Sequence, residues 1–274
     1  MNSVVNFVKK ETTHPTIVTI PILPFGMVHC HLIVTAKGCV LVDTGVPGSE
    51  TKIGRALSGL GLGFSDVSLI VVTHAHTDHA GSATRLRELS GAPILAHQAD
   101  LDYYERRKDM CYCMTHWWGP LFMRSGLPTE AYRAFTPDIL LRDDARVDLN
   151  DYGVDGVVRH TPGHTAGSVS VTLHSGDALV GDLLASGVFI GGIARTAHAT
   201  RPPFEDDPQR VSEQLLGMID AGMEHFYMGH GGPLPAEEVR RHALALQNMQ
   251  PGQVFSIGSG AAPGAKPKPA KGVR

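Results

Sequence analysis

Thr73-His-Ala-His-Thr-Asp-His-Ala-Gly81 places the imidazoles of His74, His76 and His79 and the carboxylate of Asp78 within six positions. Few arrangements other than a metal site call for so many ligand-type side chains in so short a stretch. Upstream, Ser68-Leu-Ile-Val-Val-Thr73 is the apolar, β-branched run that a buried strand needs. Downstream, Ala80, Ala83, Leu86 and Leu89 recur at helical spacing, and Gly91 ends the pattern. The cluster therefore falls in a strand-to-helix turn, at a strand's carboxyl end, where open α/β sheets carry their chemistry.

Outward from that turn, Thr16–Ile22, Met27–Ala36 and Gly38–Asp43 read as strands, and a helix follows from about Ser49 with Ile53, Ala56, Leu57 and Leu60 as its apolar stripe. A short strand, Pro93–Ala96, closes the first series. A second series runs around Val147, Val157–His160, Ser168–Leu173 and Ala178–Gly181. It continues through a helix with Asp206 or Asp207 as N-cap and Pro208 in the first turn, a strand at Glu224–Met228, and a helix over Ala236–Met249. Two similar ββα-type halves predict two sheets face to face with helices outside, a four-layer αββα sandwich of the α/β class. The domain should span 1–258. Residues 259–274, rich in Gly, Ala, Pro and Lys, should form a disordered tail.

One cluster does not close a metal shell. Three further candidates each sit in a Gly-containing turn after a strand: His164 in Thr161-Pro-Gly-His-Thr-Ala-Gly-Ser168, Asp182 in Leu179-Val-Gly-Asp-Leu183, and His230 in Met228-Gly-His-Gly-Gly-Pro233. Glycine beside a ligand lets the backbone turn sharply and leaves room for an ion or substrate.

With these motifs in order from Asp43 to His230, the chain resembles the metallo-β-lactamase-fold superfamily, in its hydrolase branch with the His-x-His-x-Asp-His signature (glyoxalase II and lactonases among them). The resemblance implies a two-metal site: His74, His76 and His164 on the first metal, Asp78, His79 and His230 on the second, and Asp182 bridging. Asp43, in Leu41-Val-Asp-Thr-Gly45, matches an aspartate that orients ligand histidines, in keeping with the habit of metal-bound imidazoles to donate their other N–H to a carboxylate. Two Zn²⁺ per chain are expected, and iron or manganese are compatible with imidazole and carboxylate ligands. The expected reaction is attack of a metal-bridging hydroxide on an ester, thioester or lactone carbonyl, with Asp78 as the catalytic proton carrier. Hydrolysis of β-lactams by a cysteine-less site is one alternative, and a mononuclear-iron persulfide dioxygenase another.

Comparison with the family's subclasses narrows the field. Only 44 residues follow His230, short of the basic, helical C-terminal domain of glyoxalase II. Flavodiiron-type members carry a glutamate where this chain has His76. The tyrosine that lactonases hold near their metals has no clear counterpart after Asp182, where Ala185 and Ser186 stand.

Residues 98–140 break the rhythm with Tyr103, Tyr104, Cys111, Tyr112, Cys113, Met114, Trp117, Trp118, Phe122 and Met123. They read as a helical insertion that is either an ordinary edge cover or a lid whose Tyr112, Trp117, Trp118, Phe122 or Met123 touches substrate. Arg195 and His198, after the Asp182 strand, are further candidates for the site mouth, Arg195 as a carboxylate binder. Cys111-x-Cys113 is too tightly spaced for structural zinc and is expected to pack in a helix. His97 reads as a supporting residue, and His29, His31 and His160 as packed strand histidines.

Composition bounds the rest. The 274 residues are 42% apolar and 19% charged with a formal net charge of −3, which gives no basic surface for nucleic acid. No apolar run is long enough for a bilayer. The first ten residues lack a basic and then apolar leader, and four cysteines are too few for a disulfide scaffold, so a reduced, cytoplasmic protein is expected. Its partner should be a small molecule, with homo-oligomerisation open.

Overall fold

The computed structural model describes residues 15–188 and 194–252. The expected tail, 259–274, lies outside the described residues. In the first half, β1 (Thr16–Pro21), β2 (His29–Thr35) and β3 (Gly38–Val42) form an antiparallel meander. After α1 (Glu50–Gly59) the chain adds β4 (Val67–Val71), α2 (Thr77–Ala80), α3 (Ala83–Ser90) and β5 (Ile94–His97). Next come α4 (Leu101–Tyr104), α5 (Gly119–Arg124) and β6 (Ile139–Leu141). From β3 to β6 the strands run parallel, so the sheet order equals the chain order.

The second half builds β7 (Arg146–Asp148), β8 (Gly156–His160), β9 (Val169–Leu173) and β10 (Asp177–Leu179). Then follow the small ribbon β11 (Ala185–Ser186) and β12 (Ala199–Thr200), α6 (Pro208–Asp220), β13 (His225–Tyr227), β14 (Leu234–Pro235) and α7 (Ala236–Leu246). The second six-stranded sheet has the order β14-β13-β10-β9-β8-β7, with β13 parallel to β10.

Period-two alternation sorts the side chains into layers. Val40, Val42, Leu69 and Val71 point from the first sheet to meet Val158, Val169, Val171 and Leu179 of the second, a core buried between sheets. Leu41, Ile70 and Ile94 face the other way onto Ile53, Leu57 and Leu86 of α1 and α3. Ala178 and Phe226 pack on Val211, Leu215, Val239 and Leu246 of α6 and α7. This is the αββα sandwich predicted by the sequence. Asp207 caps α6 through Gln209 N at 3.1 Å and Arg210 N at 3.0 Å, as N-cap carboxylates do.

Two local expectations are corrected. The insertion is helical only in the four residues of α4, the six of α5 and short 3₁₀ turns. It is held instead by backbone bonds to a distant segment, Thr115 N to Pro203 O and Glu205 N to Cys113 O, both 2.9 Å. Cys111 and Cys113 therefore lie in irregular chain, the first exposed and the second half-buried, and not in a helix. No described helix is long and apolar enough to cross a membrane.

Candidate metal centre

Parallel pairing brings strand ends together. Asp43 follows β3, the 74–79 turn follows β4, and Asp182 and His230 each lie three residues past the parallel strands β10 and β13. His164 follows β8 in the facing sheet. All seven ligand-type side chains singled out by the sequence converge here, in two clusters. His74, His76, His164 and Asp182 form one, and Asp78, His79 and His230 the other, with the atoms of each within 4.8 Å of one another.

In the first cluster, His74 Nε2 lies 3.0 Å from His76 Nδ1, and His164 Nε2 lies 3.1 Å from both. Asp182 spans the clusters: Oδ2 is 2.9 Å from His230 Nε2 and 3.8 Å from His164 Nε2, while Oδ1 is 3.3 Å from His79 Nε2. Asp78 Oδ2 is 3.4 Å from His230 Nε2, and its side chain, 30% accessible, is the one carboxylate of the centre open to solvent.

The outer ring nitrogens fix the tautomers. His79 Nδ1 donates to Asp43 Oδ2 at 2.8 Å, and His230 Nδ1 donates to the Met27 carbonyl. Thr73 Oγ1, committed as donor to Asp43 Oδ2 at 2.9 Å, accepts from His74 Nδ1 at 3.0 Å. In each case the Nε2 lone pair is left facing inward, the arrangement a metal-ligating histidine requires. Asp43 sits at φ +63°, a conformation aspartate tolerates better than most residues. From there it also accepts Thr73 N at 2.8 Å.

A supporting residue absent from the sequence reading is Asp100. Fully buried, it takes Ala75 N at 3.2 Å and Thr165 Oγ1 at 2.8 Å on Oδ2, and Gly167 N at 2.8 Å on Oδ1. It thus clamps the His74–His76 turn to the His164 turn. His29 and His31 do the same for the His230 turn, through the Gly231 and Met228 carbonyls, both at 3.1 Å. His97 stacks on His160 with ring centres 3.7 Å apart and serves as structural support.

The residues fit a cation. Burial and the crowding of neighbouring imidazoles hold His74 well below the usual histidine range. Burial does the same for His164, and holds His76 down to about 4, so these rings present neutral lone pairs. Burial also pulls on His79 and His230, but the carboxylate of Asp182 carries both up, joined by Asp43 and Asp78 at His79 and by Asp78 at His230. The carboxylates thus draw positive charge to the point between them. Within the centre, His79 Nε2 and Asp182 Oδ1 are buried without a hydrogen-bond partner, a rarity that usually signals an ion or water. Gly229 completes the cradle: a Cβ there would overlap His79 Cε1 and lie 2.6 Å from Asp182 Oδ1.

The centre opens into a cavity of about 150 Å³, walled by Leu23, Met27, Val28, Val46, Phe122 and Phe204 among others. Tyr112 stacks on the His76 ring at 5.3 Å, Phe204 packs on Tyr112 at 4.7 Å, and Phe122 on Phe204 at 5.9 Å. Of the candidate substrate contacts, Tyr112 and Phe122 line this cavity. Trp117 does not, being 62% exposed, and Trp118 packs on His116 and Phe122 instead. Arg195 is exposed and outside the lining, and His198 faces Glu238 at 3.6 Å across the β12–α7 contact. These four were chosen for residue type and chain position, and neither reports which way a loop faces.

The sandwich and the paired histidine clusters define the class. The metallo-beta-lactamase superfamily profile matches residues 23–230, and the chain belongs to that superfamily. A probable metallo-hydrolase of Bacillus subtilis, YflN, is 26% identical over 76% of this chain and 81% of its own length. The hydroxyacylglutathione hydrolase GloC of Haemophilus influenzae is 28% identical over 73% and 84%. Among solved structures, a metallo-beta-lactamase family protein from Thermus thermophilus shares the fold with a TM-score of 0.59 at 24% identity, covering 84% of this chain and 78% of its own. The superfamily is metal-dependent, and its named relatives support a hydrolase.

Proposed function

We propose that this protein is a dinuclear-metal hydrolase of an ester, thioester or lactone carbonyl. The observation that carries the reading is the pair of clusters, each with ligand atoms within 4.8 Å, joined by Asp182 and open to an apolar cavity. His74, His76 and His164 would hold one ion and Asp78, His79 and His230 the other, with Asp182 between. Imidazole and carboxylate without thiolate suit zinc. A metal pair there would supply a water of lowered pKa and polarise a carbonyl oxygen.

The chain's own residues do the rest. Asp43 and Thr73 aim the imidazoles, and the aromatic wall from Tyr112 to Phe122 excludes bulk water on one side of the carbonyl. In the reaction the water oxygen bonds to the acyl carbon, the bond from that carbon to the leaving oxygen or sulfur breaks, and the proton passes to the leaving group. Asp78, with its side chain open to the cavity, is the residue positioned to carry that proton. A second cluster beside the first favours this over a single-iron dioxygenase, whose chemistry needs one.

The test is metal quantification followed by assay of lactones, thioesters and β-lactams on one preparation. Two zinc ions per chain with turnover of a lactone or thioester support the proposal. One iron per chain with oxygen uptake on a persulfide overturns it. His76→Ala should abolish turnover; retained activity would overturn the ligand assignment.

A further inference from the structure

The cavity beside the centre has a charge pattern that restricts what can enter it. Apart from the ligand-type residues of the centre itself, its one charged lining residue is Glu130, and no lysine or arginine lines it among the described residues. Basic side chains do lie nearby, but in a separate cavity of about 180 Å³ lined by Arg106 and Lys108. Tyr112, Thr77 and Glu130 stand between the two, tied in place by the Tyr112 hydroxyl on the Pro128 carbonyl and Thr77 Oγ1 on Glu130 O at 2.7 Å. Lys108 is committed to Asp102 at 3.2 Å and Arg106 to the Tyr132 carbonyl at 3.2 Å.

The apolar wall begins at the centre itself, since Tyr112 lies face to face with His76 at an interplanar angle of 23°. A group attached to a carbonyl at the metals therefore meets Tyr112, Phe204 and Phe122 at once. The cavity of about 150 Å³ also takes in the ligand-type residues of the centre, so a benzene-sized volume, about six carbons, is the upper bound for an acyl group held against its apolar wall.

We infer that the substrate carries an uncharged, apolar acyl group of up to about six carbons, and that a carboxylate at the far end of that group is rejected. This rests on the hydrolase reading and adds to it the class of acyl group. It disfavours substrates whose far end carries a free carboxylate, because that end, away from the ions, meets Tyr112, Phe122 and Phe204 with no lysine or arginine of the lining to pair it and the acidic Glu130 at the rim.

The experiment compares p-nitrophenyl hexanoate, p-nitrophenyl acetate and mono-p-nitrophenyl adipate on the zinc-loaded protein. The expected result is kcat/KM about tenfold or more higher for hexanoyl than for adipoyl. Glu130→Gln should narrow that gap, and Phe204→Ala should lower the hexanoyl-to-acetyl ratio. Equal or faster cleavage of the adipoyl ester overturns the inference while leaving the hydrolase reading intact. If no ester is cleaved, the hydrolase reading rests on the lactone and thioester assays, and the cavity is judged by thermal shift with hexanamide and adipic acid monoamide. Stabilisation by hexanamide alone supports the inference; equal stabilisation, or stabilisation by the monoamide alone or by neither, overturns it.

Discussion

Asp43 holds His79 by a 2.8 Å hydrogen bond from Nδ1, and with its other oxygen it holds the backbone N–H of Thr73, the residue before His74. One buried carboxylate thus sets both the orientation of a ligand-type ring and the start of the turn that carries two other such rings and the carboxylate of Asp78. Asp43→Asn cannot accept on both sides. Zinc affinity should fall about 10- to 100-fold, as measured by competition with a chromophoric chelator. An unchanged dissociation constant would show that the ring is oriented by other contacts.

Asp100 makes a separate prediction because it touches no ligand ring. Asp100→Ala leaves Ala75 N and Gly167 N as buried donors without their acceptor, while Thr165 Oγ1 keeps Ser168 Oγ at 3.0 Å. Each such loss costs about 1–3 kcal/mol, so the metal-free protein should lose at least about 2 kcal/mol in urea unfolding. Asp100→Asn keeps one acceptor oxygen and should lose less. Equal losses for the two variants would assign the effect to side-chain volume instead of the clamp.

The two aspartates also mark how far the sequence could be read. Asp43 stands in a strand-end Gly-containing motif, and the ligand-type residues share short turns with glycines, so local pattern exposed them. The strands were legible for a related reason, since burial on two faces demands continuous apolar runs. Asp100 gave no such signal: its partners lie 25 and 65–67 residues away, and only the packing of two sheets brings them together. Phe204 and Met27 meet Tyr112 and Phe122 in the cavity by the same long-range route. The insertion misled because its aromatic richness suggested helices, whereas its order comes from pairing with 202–205, which leaves no periodicity to read.

Gly229 is a test of the cradle. A methyl group there would meet His79 and Asp182 together, and His79 is fixed from behind by Asp43. Gly229→Ala should therefore reduce bound zinc below the wild-type stoichiometry, while the chain's far-ultraviolet circular dichroism stays the same. Full zinc content in the variant would mean that the two side chains can move apart without losing the ion.

His242 predicts a pH dependence away from the centre. It lies on the buried face of α7 with Nε2 unpartnered, and burial, helped by the charges of Arg241 and Arg201, holds its pKa down to about 4. In the unfolded chain the ring titrates at its ordinary value of 6.5. Its folded pKa is thus the lower one, and the neutral ring's contribution is fully present above pH 6.5. As pH falls, the unfolded chain takes up a proton that the folded one resists, and by pH 4 about 3 kcal/mol of stability is lost. His242→Leu removes this proton uptake and keeps the site apolar. The variant's unfolding free energy relative to wild type should therefore rise by about that amount between pH 7.5 and pH 4 in metal-free urea titrations. Parallel profiles for the two proteins would place the charged ring in contact with water, which would require α7 to lift from α6 in acid.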